Sequence, residues 1–126
     1  MAILTEGARN AEFMISEANH WRSRDQVVVT VPANTTYEAG TVLGLITSSS
    51  KYVRHAAGAS DGSQNEAGIL YANLVNTSGS PVDMDAAMIA RDAEVAQDRL
   101  TYEIGADSAQ ETTSNAALAA LGIIVR

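Results

Sequence analysis

Hydrophobic residues fall in short runs along this chain, separated by polar stretches rich in glycine, serine and asparagine. Runs of this length, bounded by turn residues and rich in β-branched side chains, are typical of β-strands. Gly44 interrupts one run and indicates a bulge or a close backbone approach. Strands are therefore predicted over residues 12–17, 26–31, 41–47, 52–55, 69–75, 86–91 and 123–125.

One late segment, residues 108–121, has the pattern of a helix instead. Ser108 can cap its N-terminus, with Glu111 as the reciprocal partner three residues later. Gly122 follows where a left-handed residue commonly ends a helix. A single helix after many strands favours a mostly β or α+β fold over a parallel sheet with alternating helices. We predict a compact, small-barrel-like domain with one C-terminal helix. The apolar face of the helix comprises Ser114, Ala117, Leu118 and Leu121.

Aromatic residues are scarce in this chain, and its only phenylalanine and only tryptophan both lie near the N-terminus, within residues 12–25. In the predicted strand, Phe13 and Ile15 share one face and Met14 lies on the other. Trp21 follows in a predicted loop, residues 18–25. Such a segment could cover the protein's own sheet as an edge strand, or add a strand to the sheet of a partner. We predict an extended N-terminal arm over residues 1–25 and a single domain over residues 26–126, with Phe13, Met14, Ile15 and Trp21 as candidate binding residues.

Composition narrows the possible partners. The 126 residues carry a formal net charge of −7, which disfavours binding to nucleic acid or to an anionic membrane. There is no cysteine, and the apolar runs are far shorter than the ~20 residues of a membrane span. The N-terminal stretch lacks the pattern of a signal peptide, so we expect synthesis in the cytoplasm. Much of the hydrophobic content is alanine, which predicts a thin core and a contribution to stability from association.

The sequence contains no strong catalytic motif. His20 and His55 lack a second ligand at metal-binding spacing, and Asp83 and Asp85 lie in a predicted loop where carboxylates usually face water. The glycines follow no phosphate-binding or dinucleotide-binding pattern. We therefore expect no enzyme, cofactor, metal site or small-molecule substrate. The remaining enzyme hypothesis, which we rank last, is a small hydrolase or sugar-binding enzyme that uses Asp83, Asp85 or His55.

Four phrases, in order, resemble a known family. They are "LTEG…EFMISEAN…SRD", "YEAGTVLGLIT", "DGSQNEAGILY" and "ALAALGIIVR". Together they cover nearly the whole chain, and their order and spacing are similar to those of the head decoration proteins of lambda-like tailed bacteriophages and prophages. The strongest single matches are residues 39–47, 59–71 and 116–126.

The resemblance implies a structural protein of the virion. Proteins of this family form homotrimers on the outer surface of the expanded capsid, at three-fold and quasi-three-fold sites, and stabilise the head against the pressure of its DNA. Their partner is the major capsid protein, which the N-terminal arm contacts, so residues 1–25 would be the capsid-binding arm. The alternative, from a different class, is a small β-rich adaptor that binds another virion component such as the tail or connector.

Overall fold

The computed structural model describes residues 7–126, so residues 1–6 of the predicted arm lie outside the described residues. Most elements are short strands, and the long helix lies near the C-terminus, as predicted. In chain order the elements are β1 Met14–Glu17, α1 His20–Ser23, β2 Arg24–Val31, β3 Thr35–Tyr37, β4 Val42–Ile46, β5 Lys51–Arg54, β6 Glu66–Leu70, β7 Leu74–Asn76, β8 Val82–Ile89, β9 Ala93–Val95, a 3-10 turn Gln97–Arg99, α2 Ser108–Ala120 and β10 Ile123–Val125.

Five strands close into a barrel in the order β2-β5-β4-β6-β8, which confirms the small-barrel prediction. The longest pairing is antiparallel, between β2 and β8, and runs without interruption from Arg24 opposite Ile89 to Val31 opposite Val82. Closure leaves these five strands without an open edge. Two smaller sheets complete the fold. One has the order β1-β9-β10, and the other pairs β3 with β7.

Neighbouring residues of the barrel strands belong to two different cores. Leu43 and Met88 pack with Val29 in one hydrophobic cluster, whereas Val42 and Ile89 pack in another. Because successive side chains of a strand point to opposite faces, the first cluster fills the barrel and the second lies outside it. The second cluster is covered by the β1-β9-β10 sheet and α2, which contribute Phe13, Ala93, Val95, Leu118 and Ile123. Burial on both faces explains why β4 appears in the sequence as a continuous apolar run.

Gly44 lies at the irregularity that the sequence predicted. The register between β4 and β6 shifts between Leu43 and Gly44. A Cβ atom added at Gly44 would lie 2.4 Å from the carbonyl oxygen of Ser63 and 2.7 Å from its Cα atom. Only glycine allows the two backbones to approach this closely, so the bulge and the close contact occur at one residue.

The N-cap of helix α2 lies one residue earlier in the chain than predicted. Asp107, not Ser108, is the N-cap, and its side chain accepts from the backbone N–H of Gln110 at 2.8 Å. The Gln110 side chain in turn accepts from the backbone N–H of Asp107 at 2.9 Å. Aspartate caps a helix as well as serine does, so the two adjacent candidates are equivalent in the sequence alone. Gly122 has a φ of 90°, which confirms the predicted left-handed residue after the helix.

Several strand boundaries differ from the prediction. The run 69–75 is divided into the end of β6 and most of β7, and β8 begins at Val82 inside a predicted loop. Asp83 and Asp85 occupy the solvent face of β8, opposite the barrel interior. Because both are polar, the sequence of this half of the strand resembles a loop. Strands β3 and β9 have three residues each, which is too short to produce a periodic signal.

Candidate functional site

The N-terminal segment is packed onto the domain well before residue 25. Phe13 is completely buried and belongs to the core outside the barrel, and its carbonyl oxygen accepts from the Ala96 N–H at 2.8 Å. Met14 is half-buried against the same core. The predicted loop over residues 18–25 is instead helix α1 and the start of β2. In this conformation, therefore, the chain is not extended up to residue 25, and Phe13 contacts the protein itself.

Phe13 and Ile15 do not share a face as the sequence predicted. Strand β1 pairs with β9, and its register shifts between Met14 and Ser16. This irregularity places Ile15 in solvent, where half of its surface is exposed. The strict alternation of a regular strand would have directed it toward Phe13, so the bulge is the physical reason for the difference.

Other side chains are also exposed on the solvent side of the β1-β9-β10 sheet. Ser16 and Ile124 both lie opposite Glu94 on the central strand. Ile124 is 41% exposed, whereas its neighbour Ile123 is buried. Glu94 is paired with Arg126, whose Nε lies 3.0 Å from Oε2. We call Ile15, Ser16, Glu94 and Ile124 the outer face; two of its four residues are large and apolar.

Trp21 is the most exposed aromatic side chain among the described residues, at 83% exposure. It lies on α1, whose N-cap Asn19 accepts from the Trp21 N–H at 2.9 Å. The buried Ser23 fixes this short helix to the domain, because its hydroxyl donates to the carbonyl oxygen of Asp92 at 3.0 Å and its own carbonyl oxygen accepts from the Ala90 N–H at 2.8 Å. The backbone that carries Trp21 is therefore held in place, while the indole ring extends into solvent.

The outer face continues toward α1. A shallow cleft of about 300 Å³ joins Ser16 and Ile124 to Asp92. Asp92 pairs with Arg22, the residue after Trp21, at an Nε–Oδ2 distance of 2.6 Å. We call the outer face together with Trp21 the exposed apolar surface. Exposed tryptophan and isoleucine side chains flanked by paired charges are typical of a protein–protein contact.

His55 belongs to a buried polar cluster. It is 3% exposed, and its Nε2 lies 2.9 Å from the carbonyl oxygen of Gln64 and 3.2 Å from Oε1 of Glu66. The hydroxyl of Ser114 donates to the same Glu66 oxygen at 2.6 Å. Among the hydrogen bonds of the described residues, none joins His55 to a serine hydroxyl, the contact by which a histidine activates a serine nucleophile. The cluster instead joins α2 to the barrel strand β6.

Asp83 and Asp85, the two candidate catalytic carboxylates in the sequence, face solvent on β8. The carboxylate of Asp83 accepts from Lys51 Nζ at 2.5 Å and from the Thr30 hydroxyl at 2.7 Å. The hydrogen bond from Lys51, followed by that from Thr30, lowers the pKa of Asp83. This carboxylate therefore stays ionised near neutral pH and is poorly suited to act as a general acid. Asp85 lies two residues further along the strand, and the hydrogen bonds of His55 involve neither aspartate.

Two further properties concern only the part of the chain that the structure describes. Within residues 7–126, no group of three or more histidine, cysteine, aspartate or glutamate side chains is arranged to hold a metal ion. Among the same residues, no helix has the length and apolar character needed to cross a membrane. The candidate functional site is the exposed apolar surface.

Comparison with known proteins places the chain in a family. The model of the family described as bacteriophage lambda head decoration protein D matches residues 3–123, nearly the full length. A comparison with curated proteins finds no match. The matched range includes every strand of the barrel, helix α2 and the residues of the exposed apolar surface except Ile124. The chain therefore belongs to the bacteriophage lambda head decoration protein D family and is a structural component of a phage head.

Proposed function

We propose that this protein binds the outer surface of the expanded phage capsid as homotrimers, at three-fold and quasi-three-fold sites, and stabilises the head against internal DNA pressure. Its partner is the major capsid protein. The observation that carries the proposal is the family match over residues 3–123. The exposed apolar surface adds to it, because a decoration protein needs a binding face and has no need of a reactive one.

The N-terminal region contributes to capsid binding in two different ways under this proposal. Ile15 and Trp21 are the anchors, since each is at least half exposed and can be buried by a partner. Phe13 and Met14 act indirectly, because they fix β1 to the core and thereby hold Ile15 in place. Residues preceding β1 supply the rest of the arm. The capsid-binding role of the arm thus divides between exposed anchors and buried supports.

Weak individual contacts suffice in such an arrangement. A trimer presents three copies of the exposed apolar surface to a shell that repeats the same partner many times. Linked binding events of this kind raise the overall affinity by ~10²–10⁴ without any new contact. The small number of large exposed apolar side chains is therefore compatible with stable decoration.

Co-sedimentation with heads of the same phage tests the proposal. Purified protein is mixed with unexpanded and with expanded undecorated heads, and the bound copies are counted after centrifugation. We expect saturable binding to expanded heads only, in a ratio of three copies per three-fold site. Absence of binding to either shell, together with binding to isolated tails or connectors, would contradict the proposal and favour an adaptor.

A further inference from the structure

The residues just before β1 are fixed to the domain by a set of hydrogen bonds centred on Asn73, in the connection between β6 and β7. The Asn73 side-chain Nδ2 donates to the carbonyl oxygen of Ala8 at 2.6 Å. Its backbone N–H donates to Oδ1 of Asn10 at 3.1 Å. Nearby, the Ala11 N–H donates to the carbonyl oxygen of Tyr71 at 2.9 Å. We call these contacts the N-terminal mooring.

Both polar atoms of the Asn73 side chain, Oδ1 and Nδ2, have a hydrogen-bond partner, which defines the orientation of the amide. Its Oδ1 accepts from the backbone N–H of Ala39 at 2.7 Å, and Ala39 is only 1% exposed. Because a backbone N–H requires an acceptor and the Ala8 carbonyl requires a donor, only one placement of the amide oxygen and nitrogen satisfies both. Asn73 therefore links the interior of the domain directly to the chain at Ala8.

A tight turn next to the mooring fixes the direction of the segment. Ala11 has a φ of 58°, in the left-handed region. The Glu12 carboxylate accepts from the Arg9 backbone N–H at 2.9 Å and pairs with Arg99 at 3.1 Å. The hydrogen bond from the Arg9 backbone, aided by Arg99, lowers the pKa of Glu12. Both contacts close the turn and connect it to Arg99.

We propose that Asn73 is a positioning residue for capsid binding. It holds the segment Ala8–Ala11 against the β6–β7 connection and so sets the place and direction in which the N-terminal arm leaves the domain. Pre-ordering of a binding segment strengthens binding because less conformational freedom is lost when the complex forms. This inference rests on the proposed function, since it concerns how the arm is presented to the capsid.

The substitution Asn73→Asp isolates the mooring from the rest of the fold. Aspartate keeps an oxygen that accepts from the Ala39 N–H, but it replaces the donor to Ala8 with a second oxygen that repels the carbonyl. A second variant, Asn10→Ala, removes the acceptor of the Asn73 N–H from the other side and leaves the Ala39 contact intact. Asn65→Asp is the matched control, because Asn65 is an exposed asparagine in the loop before β6 that undergoes the same change of charge.

Limited trypsin digestion reports on the mooring without any capsid. The bond after Arg9 lies within the moored segment, and cleavage of a folded protein follows the population of the locally opened state. We expect Asn73→Asp to raise the rate of cleavage after Arg9 by about tenfold, and Asn10→Ala to raise it by a smaller factor, with thermal unfolding unchanged. The Asn65→Asp protein should be cleaved at the wild-type rate. Equal cleavage rates in all four proteins would overturn the mooring.

Binding to expanded heads then tests the positioning role. The two mooring variants should bind about five- to tenfold more weakly than wild type, in the same order as their cleavage rates, while the control binds normally. Faster cleavage with wild-type head affinity would show a purely structural contact and would refute the positioning role. If the wild-type protein itself does not bind heads, the proposed function fails, and the digestion result still stands alone as a measure of the mooring.

Discussion

Replacement of Phe13 by alanine is expected to lower the free energy of unfolding by about 3–5 kcal/mol. The side chain is completely buried among Val95, Leu118 and Ile123, and its removal would leave a cavity between α2 and the β1-β9-β10 sheet. Domains of this size are stable by only about 5–15 kcal/mol. The variant should therefore unfold at a much lower urea concentration, or fail to fold at 37 °C.

Urea titration followed by circular dichroism gives this free energy, and Ile15→Ala is the matched control. Ile15 is two residues away on the same segment, but half of its surface is exposed, so its truncation should cost about 1 kcal/mol or less. Equal and small effects of both substitutions would contradict the burial of Phe13. That result would instead support direct contact of Phe13 with the capsid, as a residue of an extended arm.

Replacement of Trp21 by alanine is expected to weaken binding to expanded heads by about 30-fold or more, which corresponds to ~2 kcal/mol. Trp21 is 83% exposed on a helix whose backbone is fixed through Ser23. Tryptophan residues in such positions often dominate the energy of an interface, because a partner can bury a large rigid ring at little entropic cost. The free energy of unfolding should change by less than about 0.5 kcal/mol, since the ring is not packed in the core.

Ile104→Ala is the control for the loss of an exposed apolar side chain. Ile104 is 87% exposed, but it lines a different cleft with Pro32 and Tyr37, away from the outer face. Head affinity is measured by fluorescence of labelled protein bound to sedimented heads over a range of concentrations. Wild-type affinity of Trp21→Ala, or an equal loss in the Ile104 variant, would exclude Trp21 as a specific anchor.

Much of the fold could be predicted from local patterns. The barrel strands β2 and β4, helix α2 and Gly122 were predicted because β-branched runs, a helical period and a left-handed glycine are local signals. The first half of β8 was missed because two of its solvent-facing residues, Asp83 and Asp85, resemble a loop, whereas its second half falls within the predicted strand 86–91. Strand β8 is stabilised by its pairing with β2 and β6 in the closed barrel. That pairing depends on residues far apart in the sequence, which a local pattern does not show.

The candidate site was harder to predict than the fold. Sequence composition draws attention to residues 12–25, but it does not separate the buried Phe13 from the exposed Ile15. That distinction depends on a bulge between Met14 and Ser16 that forms against β9, and β9 has no signal of its own. Ile124 was missed as a surface residue because it lies in an apolar run, and only pairing with β9 shows that it faces solvent. Asn73 was missed because its partners at Ala8 and Ala39 are more than thirty residues away.

An electron cryomicroscopy reconstruction of expanded heads incubated with the protein tests the central claim most directly. The account predicts trimeric density above the three-fold and quasi-three-fold positions, with Ile15, Trp21 and Ile124 turned toward the major capsid protein. Bare three-fold positions, or bound trimers whose exposed apolar surface faces solvent, would contradict it.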